Sequence, residues 1–153
     1  MTNRIAFIPL RSGSKRLPGK NTKLFCKEPL AWWAIRAAAN ATSIDRVVVA
    51  IDKPLLPVMT SLLSQRKDDD TSKVEIYLRS SKSARDGAYT EDVMLEWIGE
   101  EYEYPEHAAD RFFLVQATNP FTISFHLDNA LSVFEQDNSG SVLSCAPLNK
   151  FLW

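Results

Sequence analysis

Apolar positions along the chain fall into two alternating patterns. Ile5–Leu10 (IAFIPL) and Arg46–Ile51 (RVVVAI) are unbroken apolar runs of strand length, as expected for strands buried on both faces. Val74–Leu78 predicts a shorter strand, Phe112–Gln116 (FFLVQ) a strong one and Ser141–Cys145 (SVLSC) a further one. Between them the apolar residues recur at helical spacing. Leu30, Trp33, Ala34, Ala37 and Ala41 define one helix, with Pro29 suited to its first turn. Leu55–Leu63 predicts a second helix after Pro54. Val93, Met94, Trp97 and Ile98 predict a third beginning near Thr90, and Ile123, Leu127, Ala130, Leu131 and Phe134 a fourth. The polar run Arg66–Ser72 reads as a surface loop. Strands and helices in this alternation predict an α/β fold with a mostly parallel sheet covered on both faces. In such sheets ligands bind where strands end and turn toward helices, and both Arg11–Asn21 and Gln116–Phe121 occupy that place.

Length and composition agree with this picture. A chain of 153 residues with 45% apolar content suits a single domain, residues 1–153, with a real core. No apolar run approaches the ~18–20 residues of a membrane helix, and no signal peptide is evident, so the expectation is a cytoplasmic protein without a membrane partner. Cys26 and Cys145 lack metal-type spacing and are expected to be small, partly buried apolar residues.

The net charge of −1 hides an asymmetry. Residues 1–27 carry seven basic side chains and no acidic one, whereas the remainder carries eleven basic against nineteen acidic. A local cationic segment on a near-neutral protein points to a small anionic ligand rather than a nucleic acid, which calls for a broader basic face with stacking aromatics.

That cationic segment contains I8-P-L-R-S-G-S-K-R-L-P-G-K-N21. Gly13 and Gly19 allow close backbone approach to a ligand, and exposed N–H groups of such a loop form an anion-binding concavity. Arg11, Lys15 and Lys20 add full charges, and Ser12, Ser14 and Asn21 offer neutral donors. The loop departs from the Walker A pattern: five residues separate Gly13 from Gly19, and Asn21 stands where Ser or Thr would bind magnesium.

The string R11-S-G-S-K15 with P18-G-K-N21, directly after a first apolar strand, resembles the signature of the acylneuraminate cytidylyltransferases, the CMP-sialic acid synthetases. Arg79, Asp86, Thr90, Asp92 and Val93 are similar to the family's R…D…S/T-x-D-V segment, and L114-V-Q-A-T-N-P-F121 to its L-x-Q-x-T-S-P-[LF] turn. The resemblance implies a three-layer α/β/α nucleotide-binding domain like that of nucleotide-diphospho-sugar transferases. It also implies transfer of a cytidylyl group from CTP to a nonulosonic sugar acid, with release of pyrophosphate. Residue by residue, Arg11, Gly13, Ser14, Lys15, Lys20 and Asn21 match positions that hold the nucleotide, Arg11 and Lys20 being those expected to act in catalysis. Arg79 matches an arginine near the nucleotide, and Gln116 a glutamine facing the sugar acid. Ala117, Asn119 and Thr122 replace the family's usual Pro, Ser and Arg, departures that bear on the sugar more than on the nucleotide. The family's Asp-x-Asp magnesium ligands, and much of its homodimer surface, belong to a segment following the part similar to 149–153. A C-terminally truncated chain is therefore expected, its Mg2+ ligands lying beyond Trp153. A nucleotide-binding remnant without turnover and a P-loop-type kinase or NTPase are the alternatives.

Other conspicuous residues have structural readings. Trp33 is expected in the helix–sheet core, Asp68–Asp70 in a solvated loop, and His107 and His126 outside any catalytic role. Asp52, at the end of a strand and just before Pro54, suits either a site or a helix cap. Lys150 carries no assigned role.

Overall fold

The computed structural model describes residues 3–14, 17–66, 71–102, 111–137 and 140–145. Lys15, Asp68–Asp70, His107, Lys150 and Trp153 therefore lie outside the described residues. Strands β1 (Arg4–Pro9), β4 (Arg46–Ile51), β5 (Val74–Leu78) and β6 (Arg111–Leu114) form one parallel sheet in the order β5-β4-β1-β6. A two-stranded antiparallel hairpin, β2 (Leu24–Phe25) and β3 (Glu28–Pro29), stands apart from it. The helices are α1 (Leu30–Ala39), α2 (Leu56–Ser64), α3 (Ser81–Ala84), α4 (Thr90–Glu101) and α5 (Ser124–Gln136).

The unbroken apolar runs are explained by burial on both faces of the sheet. Alternate residues of β1 point opposite ways: Ala6 and Ile8 enter a core with Trp32, Ile35, Val47, Val49, Met59 and Leu127, which belong to α1, β4, α2 and α5. Ile5 and Phe7 enter a second core with Val48, Ala50, Val93 and Trp97, the last two from α4. The Phe7 ring lies 5.6 Å from both Trp97 and Phe112. The sheet is thus sandwiched between helical layers, and the three-layer α/β/α expectation holds.

Helix starts follow from local chemistry. Pro29 precedes the first residue of α1, where a missing N–H costs nothing. At α4 the Asp92 carboxylate accepts the Tyr89 N–H at 2.8 Å, and the acidic first turn complements the helix dipole. His126, in the first turn of α5, accepts the Ile123 N–H on Nδ1 at 3.3 Å. This gives it a capping place.

Four expectations need correction. Residues 141–145 form no strand and are exposed, Leu143 to 88%, because no described strand offers them a ladder. Trp32 rather than Trp33 fills the core: the helix turns Trp32 onto the sheet, while half-buried Trp33 donates its indole N–H to the Phe25 carbonyl at 3.0 Å. Cys26 and Cys145 are exposed. Cys26 and Lys27 form the tip of the β2–β3 hairpin with φ of 50° and 70°, the left-handed pair that lets a two-residue turn match the strand twist. That hairpin is absent from the sequence expectations because no Asn-Gly or Asp-Gly signals it. Finally, β6 ends at Leu114, although the Val115 N–H still reaches the Phe7 carbonyl at 3.0 Å.

Candidate nucleotide site

The topology sets the location. From β1 the chain crosses to β4 and β5 on one side, then returns to β6 on the other side of β1. The loops leaving β1 and β6 therefore start side by side at the carboxyl ends of neighbouring strands, where ligands bind in α/β sheets, and lead to α1 and α5 on one face of the sheet. The loop after β1 is Arg11–Asn21, and the turn after β6 contains Gln116–Phe121.

The β1 loop begins under tight control. The Leu10 N–H continues the ladder to the Ala50 carbonyl at 2.8 Å. The Leu10 carbonyl accepts from the Arg79 guanidinium at 3.3 Å, and the Arg11 carbonyl from the Asn21 side-chain amide at 3.0 Å. The Ser12 N–H donates to both Asp52 carboxylate oxygens at 3.1 and 3.0 Å, and Ser12 Oγ donates to Oδ2 at 2.6 Å. Ser12, read from sequence as a donor to a ligand, is thus turned inward. Asp52 serves this loop and not the 3-10 turn it precedes (Lys53–Leu55), for which its side chain makes no capping bond. The other end of the loop is wound into a 3-10 turn, Lys20–Thr22, entered through Gly19 at φ 63°. A non-glycine residue would be strained there. Gly13 has no such requirement: it is exposed, its φ is not positive, and a Cβ would meet nothing within 4 Å.

The charged side chains sort into exposed and buried. Arg11 is 38% exposed and reaches the Asp86 carboxylate at 3.6 Å, while Ser14 and Lys20 are half-buried. Arg79 is buried, donates to the Leu10 and Ser83 carbonyls and has no partner for its Nε. Burial lowers its pKa from the ordinary arginine value, an effect partly offset by the attraction of Asp52 and Glu96. Asn21 is buried as well. Arg79 and Asn21 are therefore built into the floor of the loop, beneath the more exposed Arg11.

Gln116 is exposed at the end of β6, and its carbonyl accepts the Asn119 N–H at 3.3 Å. Asn119 Oδ1 in turn accepts the Phe121 N–H at 3.2 Å. Phe121, 73% exposed, meets Phe25 edge-on at 5.8 Å, and Phe25 meets Trp33 at 6.2 Å. The β2–β3 hairpin thereby ties the chain that follows the β1 loop to the turn after β6. Within the family-like segment near α4, Asp86 pairs with Arg11, Thr90 opens the helix, Asp92 caps it and Val93 is core. Asp52, left open in the sequence between a site and a helix cap, braces the loop, while the aromatic contact of the hairpin has no counterpart among the sequence expectations. The sequence signal for Asp52 is its place directly after the β4 run; the parallel register of Pro9 with Ala50 then brings Ser12 beside it.

Among the described residues no group of three or more His, Cys, Asp or Glu side chains could hold a metal ion. Nor, among them, is any helix long and apolar enough to cross a membrane.

A family model described as cytidylyltransferase matches residues 5–147. N-acylneuraminate cytidylyltransferase of Oncorhynchus mykiss is 29% identical over 97% of this chain, which spans 31% of that relative. CMP-N,N'-diacetyllegionaminic acid synthase of Legionella pneumophila is 29% identical over 95% of the chain, which spans 58% of that protein. Among solved structures, CMP:2-keto-3-deoxy-manno-octonic acid synthetase complexed with CTP superimposes with a TM-score of 0.65 over 90% of this chain and 49% of that one, at 21% identity, a likeness of fold.

Proposed function

The chain belongs to the cytidylyltransferase family, and from that premise we propose that its Arg11–Asn21 loop holds the triphosphate of CTP. The observation that carries this reading is a cationic loop at the carboxyl end of the interior strand β1, beside the turn that follows β6. Backbone amides and the Arg11 and Lys20 charges sit where an α/β sheet collects anionic ligands. Gly13 leaves open space for a phosphate, with Ser14 and Lys15 supplying further donors. Arg79 and Asn21 serve the nucleotide by shaping the loop floor.

The reaction in the whole protein is in-line displacement. A hydroxyl of a nonulosonic sugar acid attacks the α-phosphorus of CTP and loses its proton. The new O–P bond forms as the α–β phosphoanhydride breaks, and pyrophosphate leaves. Such a step depends on positioning and on neutralising charge, which the guanidinium of Arg11 and the ammonium of Lys20 supply at the phosphate oxygens. Gln116, exposed in the turn after the neighbouring strand β6, hydrogen-bonds the sugar acid. The similarity to an N-acylneuraminate cytidylyltransferase and a CMP-N,N'-diacetyllegionaminic acid synthase supports this substrate class. Mg2+ would arrive bound to the phosphates of CTP and neutralise part of their charge, since among the described residues no group of three or more His, Cys, Asp or Glu could hold it. Residues 1–153 act as one nucleotide-binding domain of a cytoplasmic homodimer. The family match leaves no support for the P-loop kinase alternative. Pyrophosphate release tests the proposal, measured with CTP or ATP and a panel of nonulosonic acids. Release with CTP and a sugar acid is expected; release with ATP alone would overturn it.

A further inference from the structure

Among the described residues Asp52 is the only acidic side chain that is buried. It lies one residue past β4, and its oxygens accept both the N–H and the hydroxyl of Ser12. The Ser12 N–H belongs to the same peptide unit as the Arg11 carbonyl, which Asn21 holds from the other side. The preceding peptide unit has its carbonyl, that of Leu10, held by Arg79. The two peptide units flanking the Arg11 Cα are thus gripped by three side chains reaching from β4, the end of the loop and the end of β5. Fixing both units fixes φ and ψ at Arg11, and with them the direction in which its side chain leaves the backbone.

We propose that Asp52 is a positioning residue that aims Arg11 at the triphosphate by clamping the Arg11–Ser12 peptide through Ser12. It rests on the reading of the loop as the CTP cradle. A carboxylate suits the task better than an amide, because both Ser12 groups are donors and a charged acceptor binds each more strongly. Asp52 itself touches no phosphate: it lies beneath the loop, and a negative charge facing the ligand would repel it.

The test is calorimetric titration of CTP with Mg2+ into the wild-type chain and its variants. Asp52→Asn weakens CTP binding about tenfold and Ser12→Ala about fivefold, whereas Ser12→Thr, which keeps hydroxyl and N–H, stays within about twofold. A clamp that acts through Arg11 is redundant once that side chain is gone. Asp52→Asn combined with Arg11→Ala therefore binds no more weakly than Arg11→Ala alone, whereas a general structural defect would add its loss to both backgrounds. Should Asp52→Asn fail to fold, the same cycle run with Ser12→Ala, at a half-buried loop position, decides. Wild-type affinity in Asp52→Asn, or additive losses in the double variant, overturns the clamp and leaves the cradle standing. A wild-type chain that does not bind CTP overturns the cradle, and the clamp with it.

Discussion

Replacing Arg11 with alanine probes the cradle at its most exposed charge. This side chain is 38% exposed, and its guanidinium lies 3.6 Å from the Asp86 carboxylate, itself 58% exposed. An ion pair of that exposure contributes about 0–1 kcal/mol, so the fold loses little. In the proposed complex with CTP the guanidinium would hydrogen-bond a phosphate oxygen, a charge-assisted contact of about 1.5–3 kcal/mol. Its loss converts to a tenfold to hundredfold weaker Kd for CTP. With the guanidinium gone, the negative charge of Asp86 adds repulsion in the same direction, while Asp86→Asn binds CTP slightly more tightly than wild type. Titration calorimetry at low and at about 0.15 M salt measures both effects, since exposed charges are screened over about 8 Å at the higher salt. A melting curve confirms that the fold is intact. Unchanged CTP affinity in Arg11→Ala, with an unchanged melting temperature, would refute the placement of the triphosphate on this loop.

Other consequences are equally measurable. Gln116→Ala raises the KM for the sugar acid and leaves CTP affinity within about twofold; equal loss of CTP binding would show that this position belongs to the nucleotide. Trp97→Ala removes the ring that packs on Phe7, Phe112 and Tyr102 and costs about 3–5 kcal/mol in denaturant unfolding; a cost below about 1 kcal/mol would contradict the second core. Acid stability follows from carboxylates held below their ordinary range. For Asp45 the cause is its hydrogen bond with Arg4; burial acts the opposite way on Glu96 and Asp128, but bonds from Ser80, and from Ser43, outweigh it. A lowered folded-state pKa gives stability that is present above the ordinary carboxylate range of about 4 and lost as pH falls through the lower folded values. Melting temperatures should therefore fall on acidification below about pH 5, less steeply in Glu96→Gln; identical slopes would remove Glu96 from the explanation.

Much of the fold was legible because burial on both faces leaves a plain trace. Arg46–Ile51 reads as a strand because β4 is covered from both sides, and the predicted limits coincide with the observed ones. The same logic failed at Ser141–Cys145, where an apolar run carries strand propensity but the described strands give it no ladder. Helical spacing placed both Trp32 and Trp33 on α1 without separating the residue facing the sheet from the one over the hairpin. The candidate site was legible as a glycine-bearing loop with Arg11 and Lys20, because spacing around glycines is a local property. Its internal bracing was not. Ser12, Asn21 and Arg79 read as ligand donors in sequence, yet the structure spends their donors on Asp52, the Arg11 carbonyl and the Leu10 carbonyl. The Asp52 bonds depend on the register of β1 against β4 and the Arg79 bond on β5 lying beside β4, neither of which the sequence carries.

Amide chemical-shift mapping during a CTP titration most directly tests the claim that the loop after β1 is a nucleotide cradle. With isotopically labelled chain and Mg2+ present, the account predicts the largest shifts at Ser12–Lys23, smaller ones at Gln116–Phe121, and none in α2. Shifts confined to α2 or to the β5 edge, or no shifts at millimolar CTP, would contradict it.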